Sequence, residues 1–103
     1  MAELDLDPSV VGASARVVVR GEIDVATAPQ LRDTLQSLIQ DGVVEIVLDC
    51  RALGFLDSSG IGLLVATKKR LGDDGVLALE APPSHVRKVL ELTGVASELE
   101  IRE

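Results

Sequence analysis

Aromatic side chains are almost absent from this chain: Phe55 is the single one in 103 residues, with no tryptophan and no tyrosine. That leaves no stacking platform for bases and no cage for a quaternary ammonium ligand. Cysteine is limited to Cys50, which excludes a disulfide framework and a thiolate metal cluster. A lone cysteine beside an apolar run reads as a small core residue. Basic residues are outnumbered, 10 against 17 acidic, for a formal charge of −7. Such a balance disfavours direct nucleic-acid binding and anionic membranes, and suits a partner with a basic face. No apolar run reaches membrane-spanning length, and residues 1–14 lack the basic-then-apolar pattern of a signal peptide. The expectation is no membrane span and cytoplasmic residence. Neither a phosphate-cradling glycine loop nor metal-ligand spacing occurs, so no metal and no cofactor are expected.

What the chain does have is aliphatic: 47% of its residues are apolar, ample for one core. Residues 1–103 read as a single domain, with 1–14 an N-terminal edge strand and turn of partial flexibility. Leu4 and Leu6 alternate with Glu3, Asp5 and Asp7 in that edge strand, which Pro8 is expected to close, and residues 10–14 read as a turn. Residues 15–21 form a clearer strand, with Ala15, Val17 and Val19 alternating against Arg16, Val18 and Arg20. Thr27 or Asp24 caps the next helix and Pro29 fits its first turn. Leu31, Leu35, Leu38 and Ile39 mark its inner face. Residues 43–48 follow as the central strand.

Residues 46–71 organise the rest. Ile46, Val47 and Leu48 end a buried strand at Asp49, and residues 51–56 are expected to cross the end of the sheet as a loop. Asp57 and Ser58 are both suitable N-caps for a helix carrying Ile61, Leu64, Val65 and Leu71 at helical spacing. Lys68, Lys69 and Arg70 oppose the negative helix end, and Gly72 suits a left-handed cap. Residues 76–79 form a strand stopped by Pro82-Pro83. Ser84 is expected to cap a third helix with Val86, Val89 and Leu90 inside, and Leu99 and Ile101 mark a last short strand. Alternating strands and helices argue an α/β domain, one mixed sheet with helices packed on it.

Enzyme readings are weak. A Ser58–His85–Asp triad can be written down, but Ser58 lacks the glycines two before and two after it that a nucleophile elbow requires. Asp24 and Asp57 have no accompanying set of pocket-lining polar residues for acid–base work. The chain reads as no enzyme. Ser58 reads better as a substrate for phosphorylation, because a helix N-terminus accommodates an anion. A phosphate adds about −1.5 to −2 charges, next to Asp57 and, if the first helix starts at the same sheet end, to Asp24. On spacing alone, plain helix capping by Ser58 and Ser59 is the simpler reading.

The segments Gly21-Glu22-Ile23-Asp24 with Thr27-Ala28, Ile46-Val47-Leu48-Asp49, and Phe55-Leu56-Asp57-Ser58-Ser59-Gly60-Ile61-Gly62 resemble the signature of STAS domains, most closely the anti-sigma factor antagonists of bacteria. The resemblance runs from about Leu4 to the C-terminus. It implies a mixed sheet of about four or five strands with helices mainly on one face. It also implies that the unphosphorylated protein binds an anti-sigma factor, a serine kinase, and so frees a sigma factor. Phosphorylation of Ser58 by that kinase dissolves the complex, and a manganese- or magnesium-dependent serine phosphatase restores the hydroxyl. By this match Asp24, Asp57, Ser58, Ser59, Gly60 and Gly62 form the partner-binding surface, Gly60 and Gly62 keeping the helix start open. Lys68 and Lys69 extend that surface along the helix, and Val25-Ala26 bear on which kinase is accepted. Rival roles are a STAS scaffold or regulatory subunit of a signalling assembly or lipid transporter, and a nucleotide- or lipid-binding module.

Overall fold

The computed structural model describes residues 3–103. Two strands form its spine, β2 (Ser14–Ile23) and β3 (Glu45–Leu56), preceded by β1 (Leu4–Val11). In β2 the period-two pattern buries Ala15, Val17 and Val19, while Arg16, Val18 and Arg20 face the other way. In β3 Ile46, Leu48 and Cys50 alternate with Val47, Asp49 and Arg51 in the same fashion. With β4 (Val76–Glu80) and β5 (Glu100–Arg102) they make a five-stranded sheet in the order β1-β2-β3-β4-β5. β1 runs antiparallel to β2, and the other neighbours are parallel.

Three helices bridge the parallel strands: α1 (Ala28–Gln40), α2 (Ser58–Leu71) and α3 (Ser84–Leu92), with a short 3-10 turn at Val95–Ser97. Their inner residues Leu31, Leu35, Leu64, Val86 and Leu90 join Ile46, Leu48, Leu77 and Leu79 in one core. The helices therefore cover a single face of a mixed sheet, as the sequence predicts. Val47 and Ala78 are also buried but stand outside that core, on the reverse face. What shields them is an ion lattice. Arg16 pairs with Asp49 at 3.2 Å and with Glu80, and Arg51 pairs with Asp49 at 3.1 Å and Glu80 at 3.4 Å. Arg16 is the cross-strand neighbour of Val47, and both arginine side chains stay partly exposed, at 41% and 59%.

Several boundaries differ from expectation. Pro8 does not close β1: it pairs with Val17 and the strand runs on to Val11. The Glu22 N–H donates to the Glu3 carbonyl at 2.8 Å, and antiparallel alternation then turns the backbone of even-numbered β1 residues to the free edge. The N–H that proline lacks would have faced solvent. The hairpin turn is only Gly12-Ala13, with Gly12 at φ +62°, a positive value that primed turns need at their first central position. Ser84 is not a cap but the first residue of α3, after Pro83. Gly72 has the positive φ of a left-handed cap, 81°, but its ψ of −177° lies outside the left-handed helical region. The last strand starts at Glu100, leaving Leu99 buried ahead of it.

The largest departure is residues 51–56, which do not form a loop. They extend β3, with Arg20 beside Ala52, Gly21 beside Leu53, Glu22 beside Phe55 and Ile23 beside Leu56. Register shifts between Val18 and Arg20 and between Gly21 and Glu22 break the alternation there, so the period-two signal fades although the ladder continues.

The ion lattice predicts a pH dependence. Hydrogen bonding by the Arg16 guanidinium holds the Glu80 carboxyl below its usual range, against a smaller opposing effect of desolvation. A depressed folded value means its stabilisation is present above the unfolded carboxylate pKa, about 4.3, and is lost as pH falls through the lower folded value. Urea midpoints of wild type and Glu80→Gln measured from pH 7 down to 3 should converge below about pH 4; a gap constant over that range would refute the pairing.

Candidate functional site

Ile23 and Leu56 are the last residues of β2 and β3, and they pair with each other. The Asp57 N–H donates to the Ile23 carbonyl at 3.2 Å. Both chains therefore leave the sheet at one place, and the Asp24 turn and the Ser58 turn are neighbours. The condition set by the sequence, that α1 and α2 start at the same sheet end, is met.

Asp57 is the cap of α2. Its backbone is extended, at φ −110° and ψ −170°, and its Oδ1 accepts from the N–H groups of Ser59 at 2.9 Å and Gly60 at 3.4 Å. Ser58, the other candidate cap, is the first residue of the helix and is exposed. Its hydroxyl has no intramolecular hydrogen bond among the described residues. Ser59 is half-buried and borders a shallow groove of about 170 Å³ with Ala28, Pro29, Arg32 and Leu63. Gly62 is exposed, with open space where a Cβ would point.

Gly60 departs from its expected role. It is buried rather than open to a partner, and a Cβ there would stand 2.3 Å from Leu56 Cδ1 and 2.8 Å from Ile23 Cγ2. The glycine lets the helix start lie directly on the strand ends. Lys68 also departs. Its Nζ donates to the carbonyls of Gly72 at 2.7 Å and Gly75 at 2.9 Å, closing the far end of α2, whereas Lys69 is exposed.

Across the strand ends, Asp24 is half-buried and its Oδ1 accepts from the N–H groups of Ala26 at 2.9 Å and Thr27 at 3.0 Å. The Ala28 N–H donates to the Asp24 carbonyl at 2.8 Å. Helical bonding thus begins at Asp24, ahead of the regular helix, and Asp24 rather than Thr27 supplies the capping oxygen. Beside the two turns stand exposed apolar residues, Val25 at 76% and Phe55 at 45% exposure. Sequence reasoning did not place Phe55 at the site, because it read the segment as a loop. It also missed Ile23, whose carbonyl and methyl hold the two turns together.

The residues of a hydrolase do not converge. His85 Nε2 lies 2.8 Å from the Gly54 carbonyl oxygen, which only accepts, so this nitrogen carries the proton and donates. Its bond ties the start of α3 to the end of β3, with Ser58 not its partner. Burial, and then the charges of Asp49 and Glu80, push the Cys50 thiol up to about 12, so it is no nucleophile at neutral pH. Among the described residues no group of three His, Cys, Asp or Glu is placed to hold a metal ion, and no helix is long and apolar enough to cross a membrane. A concavity of about 530 Å³ is bordered by Glu3, Asp5, Arg20, Thr27 and Gln30 and touches no residue of the Ser58 turn.

Comparison with known proteins supplies the family. Residues 7–102 match a family model described as "Mlab, STAS domain". The chain belongs to the STAS domain family. It is 30% identical over 101 residues to the anti-sigma-B factor antagonist of Staphylococcus aureus, covering 97% of this chain and 94% of that protein. The crystal structure of an anti-sigma factor antagonist from Mycobacterium paratuberculosis superimposes with a TM-score of 0.88 at 28% identity, covering 97% of this chain and 86% of the other. The anti-sigma factor antagonist SpoIIAA in its unphosphorylated form gives 0.82 at 25% identity, over 96% and 89% of the two chains. Bacillus SpoIIAA in the phosphorylated form gives 0.73 at 25%, over 98% and 92%.

Gly60→Ala should destabilise the STAS domain by about 1–3 kcal/mol, since its new methyl meets Leu56 and Ile23. Gly62→Ala, facing open space in the same helix, should be neutral or slightly stabilising. Chemical denaturation of the two variants checks this; equal effects would mean that Gly60 is not a packing glycine.

Proposed function

We propose that this protein is an anti-sigma factor antagonist switched by phosphorylation of Ser58, acting through one STAS domain that spans residues 1–103. The unphosphorylated form binds an anti-sigma factor that is also a serine kinase, and a serine phosphatase reverses the modification. The setting is the cytoplasm. The observation that carries the reading is that Asp57 caps α2 alone and leaves the Ser58 hydroxyl exposed and unbonded. A hydroxyl that the fold does not use is available to a kinase at no structural cost. The names of the relatives support the same reading, since SpoIIAA is described in both an unphosphorylated and a phosphorylated form.

The docking surface is the Asp24 turn with exposed Val25, the Ser58 turn with Phe55, and the outer side of α2 through Ser59, Gly62 and Lys69. Gly60 belongs to it as the residue that seats the helix start, and Asp57 as its cap. The positive end of the α2 dipole tolerates the phosphate within the fold, so the modification acts on binding. A phosphate adds about −1.5 to −2 charges where two carboxylates already stand.

Incubation with the anti-sigma factor of the native cell and ATP, followed by mass mapping, should place one phosphate on Ser58. Ser58→Asp should weaken binding at least about tenfold, some 1.4 kcal/mol, while Ser58→Ala binds like wild type and stays unmodified. A Ser58→Ala variant that binds as poorly as Ser58→Asp would remove charge as the switch. A wild type that binds with Ser58 always bare would favour a scaffold role.

A further inference from the structure

Thr27 is the one buried polar residue beside the site, 7% exposed. Its hydroxyl is fully used. Oγ1 donates to the Glu22 carbonyl at 2.8 Å and accepts from the Asp24 N–H at 2.9 Å. In return Asp24 Oδ1 accepts from the Thr27 N–H at 3.0 Å. Residues three apart thus cap each other's backbone, a reciprocal box that freezes the turn. The bond to Glu22 adds a third anchor, because Glu22 is still part of β2 and pairs with Phe55. The next residue, Ile23, accepts from Asp57 and packs where Gly60 leaves room. A continuous path of bonds and contacts runs from Thr27 through the strand end to the start of α2.

We infer that Thr27 is a positioning residue: its buried hydroxyl latches the Asp24 turn to the end of β2 and so sets Asp24 and Val25 at a fixed place beside Ser58. The inference rests on the proposed docking role of that turn. Asp24 Oδ1 accepts from the turn's own amides and lies 3.3 Å from the Thr27 hydroxyl, so the latch also bears on how the carboxylate is held. Losing the hydroxyl leaves two backbone groups without their partner, and the turn regains alternatives that it must give up again on docking. That cost falls on association with the kinase rather than on phosphoryl transfer, since Thr27 touches neither Ser58 nor the phosphate it would receive.

Two substitutions test this. Thr27→Val keeps shape and volume but removes the hydroxyl; Thr27→Ser keeps the hydroxyl. In the protein alone, amide exchange read by NMR should quicken about tenfold or more at Asp24 and Ala26 in Thr27→Val, while residues 46–48 in the central strand exchange as in wild type. Thr27→Ser should restore wild-type exchange. With the ATP-dependent anti-sigma factor kinase of the native cell, Thr27→Val should raise KM for this protein about tenfold with kcat within about twofold, and Thr27→Ser should reverse it. Uniformly faster exchange across the domain, or unchanged KM in a turn that has loosened, would make Thr27 a stability residue and overturn the inference. The wild-type control separates the two levels. If Ser58 of wild type takes no phosphate, the functional reading fails and the docking role of the latch goes with it. If wild type is modified and Thr27→Val matches it in KM, only the latch fails.

Discussion

The pairing of Ile23 with Leu56, with the Asp57 N–H bonded to the Ile23 carbonyl, is the constraint on which the site depends. Neither Asp24 nor Ser58 is positioned by a long-range side-chain bond to the other. Each is placed by local capping at the mouth of its own helix, and the two mouths adjoin because parallel strands end together. Parallel pairing delivers this as a general consequence, since successive helices then begin at the same edge of the sheet. Gly60 tightens the arrangement by letting α2 rest on the side chains of Ile23 and Leu56. The site is thus a property of the backbone, with short capping side chains to finish it.

The two faces of the sheet divide the labour. One carries every helix and the aliphatic core; on the other, among the described residues, Val47 and Ala78 are the buried apolar side chains, beside a lattice of arginines and carboxylates. Such a lattice is partly wet, and ion pairs of this kind contribute little each. Its use is to cover a sheet face with groups that remain hydrated. Chain reversals at the opposite end of the sheet, the Gly12-Ala13 turn and the close of α1, take no part in the site. The core itself packs without large aromatics, so aliphatic side chains set how closely the helices approach.

Legibility followed the strength of local periodicity. Ala15, Val17 and Val19 in one strand and Leu31, Leu35 and Leu38 in one helix carried clean signals, and the structure buries them. The STAS segments named the family, while the shared sheet end of the two helices stood as a condition that the paired strand ends meet. What failed was local detail governed by partners that are remote in sequence. The segment 51–56 looked like a loop because register shifts scramble its alternation, yet β2 lies alongside to receive it. Pro8 looked like a stop because an edge position, harmless to proline, is decided by β2. Gly60 looked open because a glycine at a helix start has two uses, and only Leu56 and Ile23, one of them far off in sequence, reveal which applies. Lys68 does oppose the helix end, as its position suggested, but by donating to the carbonyls of Gly72 and Gly75, which takes it out of the proposed partner surface.

The division between Asp57 and Ser58 explains why a switch can sit at a helix start without loosening the fold. Had Ser58 been the cap, esterifying it would have removed the acceptor that holds the first turn, and modification would have traded stability for signal. With Asp57 as the cap, its Oδ1 satisfies Ser59 and Gly60 whatever happens to the neighbouring hydroxyl. The free hydroxyl then carries only information. On the proposed reading, adding a dianion changes the field seen by an incoming partner most strongly here, where the Asp24 and Asp57 turns leave the sheet side by side. Like charges brought together across a docked interface cost several kcal/mol, whereas the same charge left in water at a helix N-terminus costs almost nothing. On that reading the difference between those two environments is the switch, and it works because the fold does not need the oxygen that would be modified.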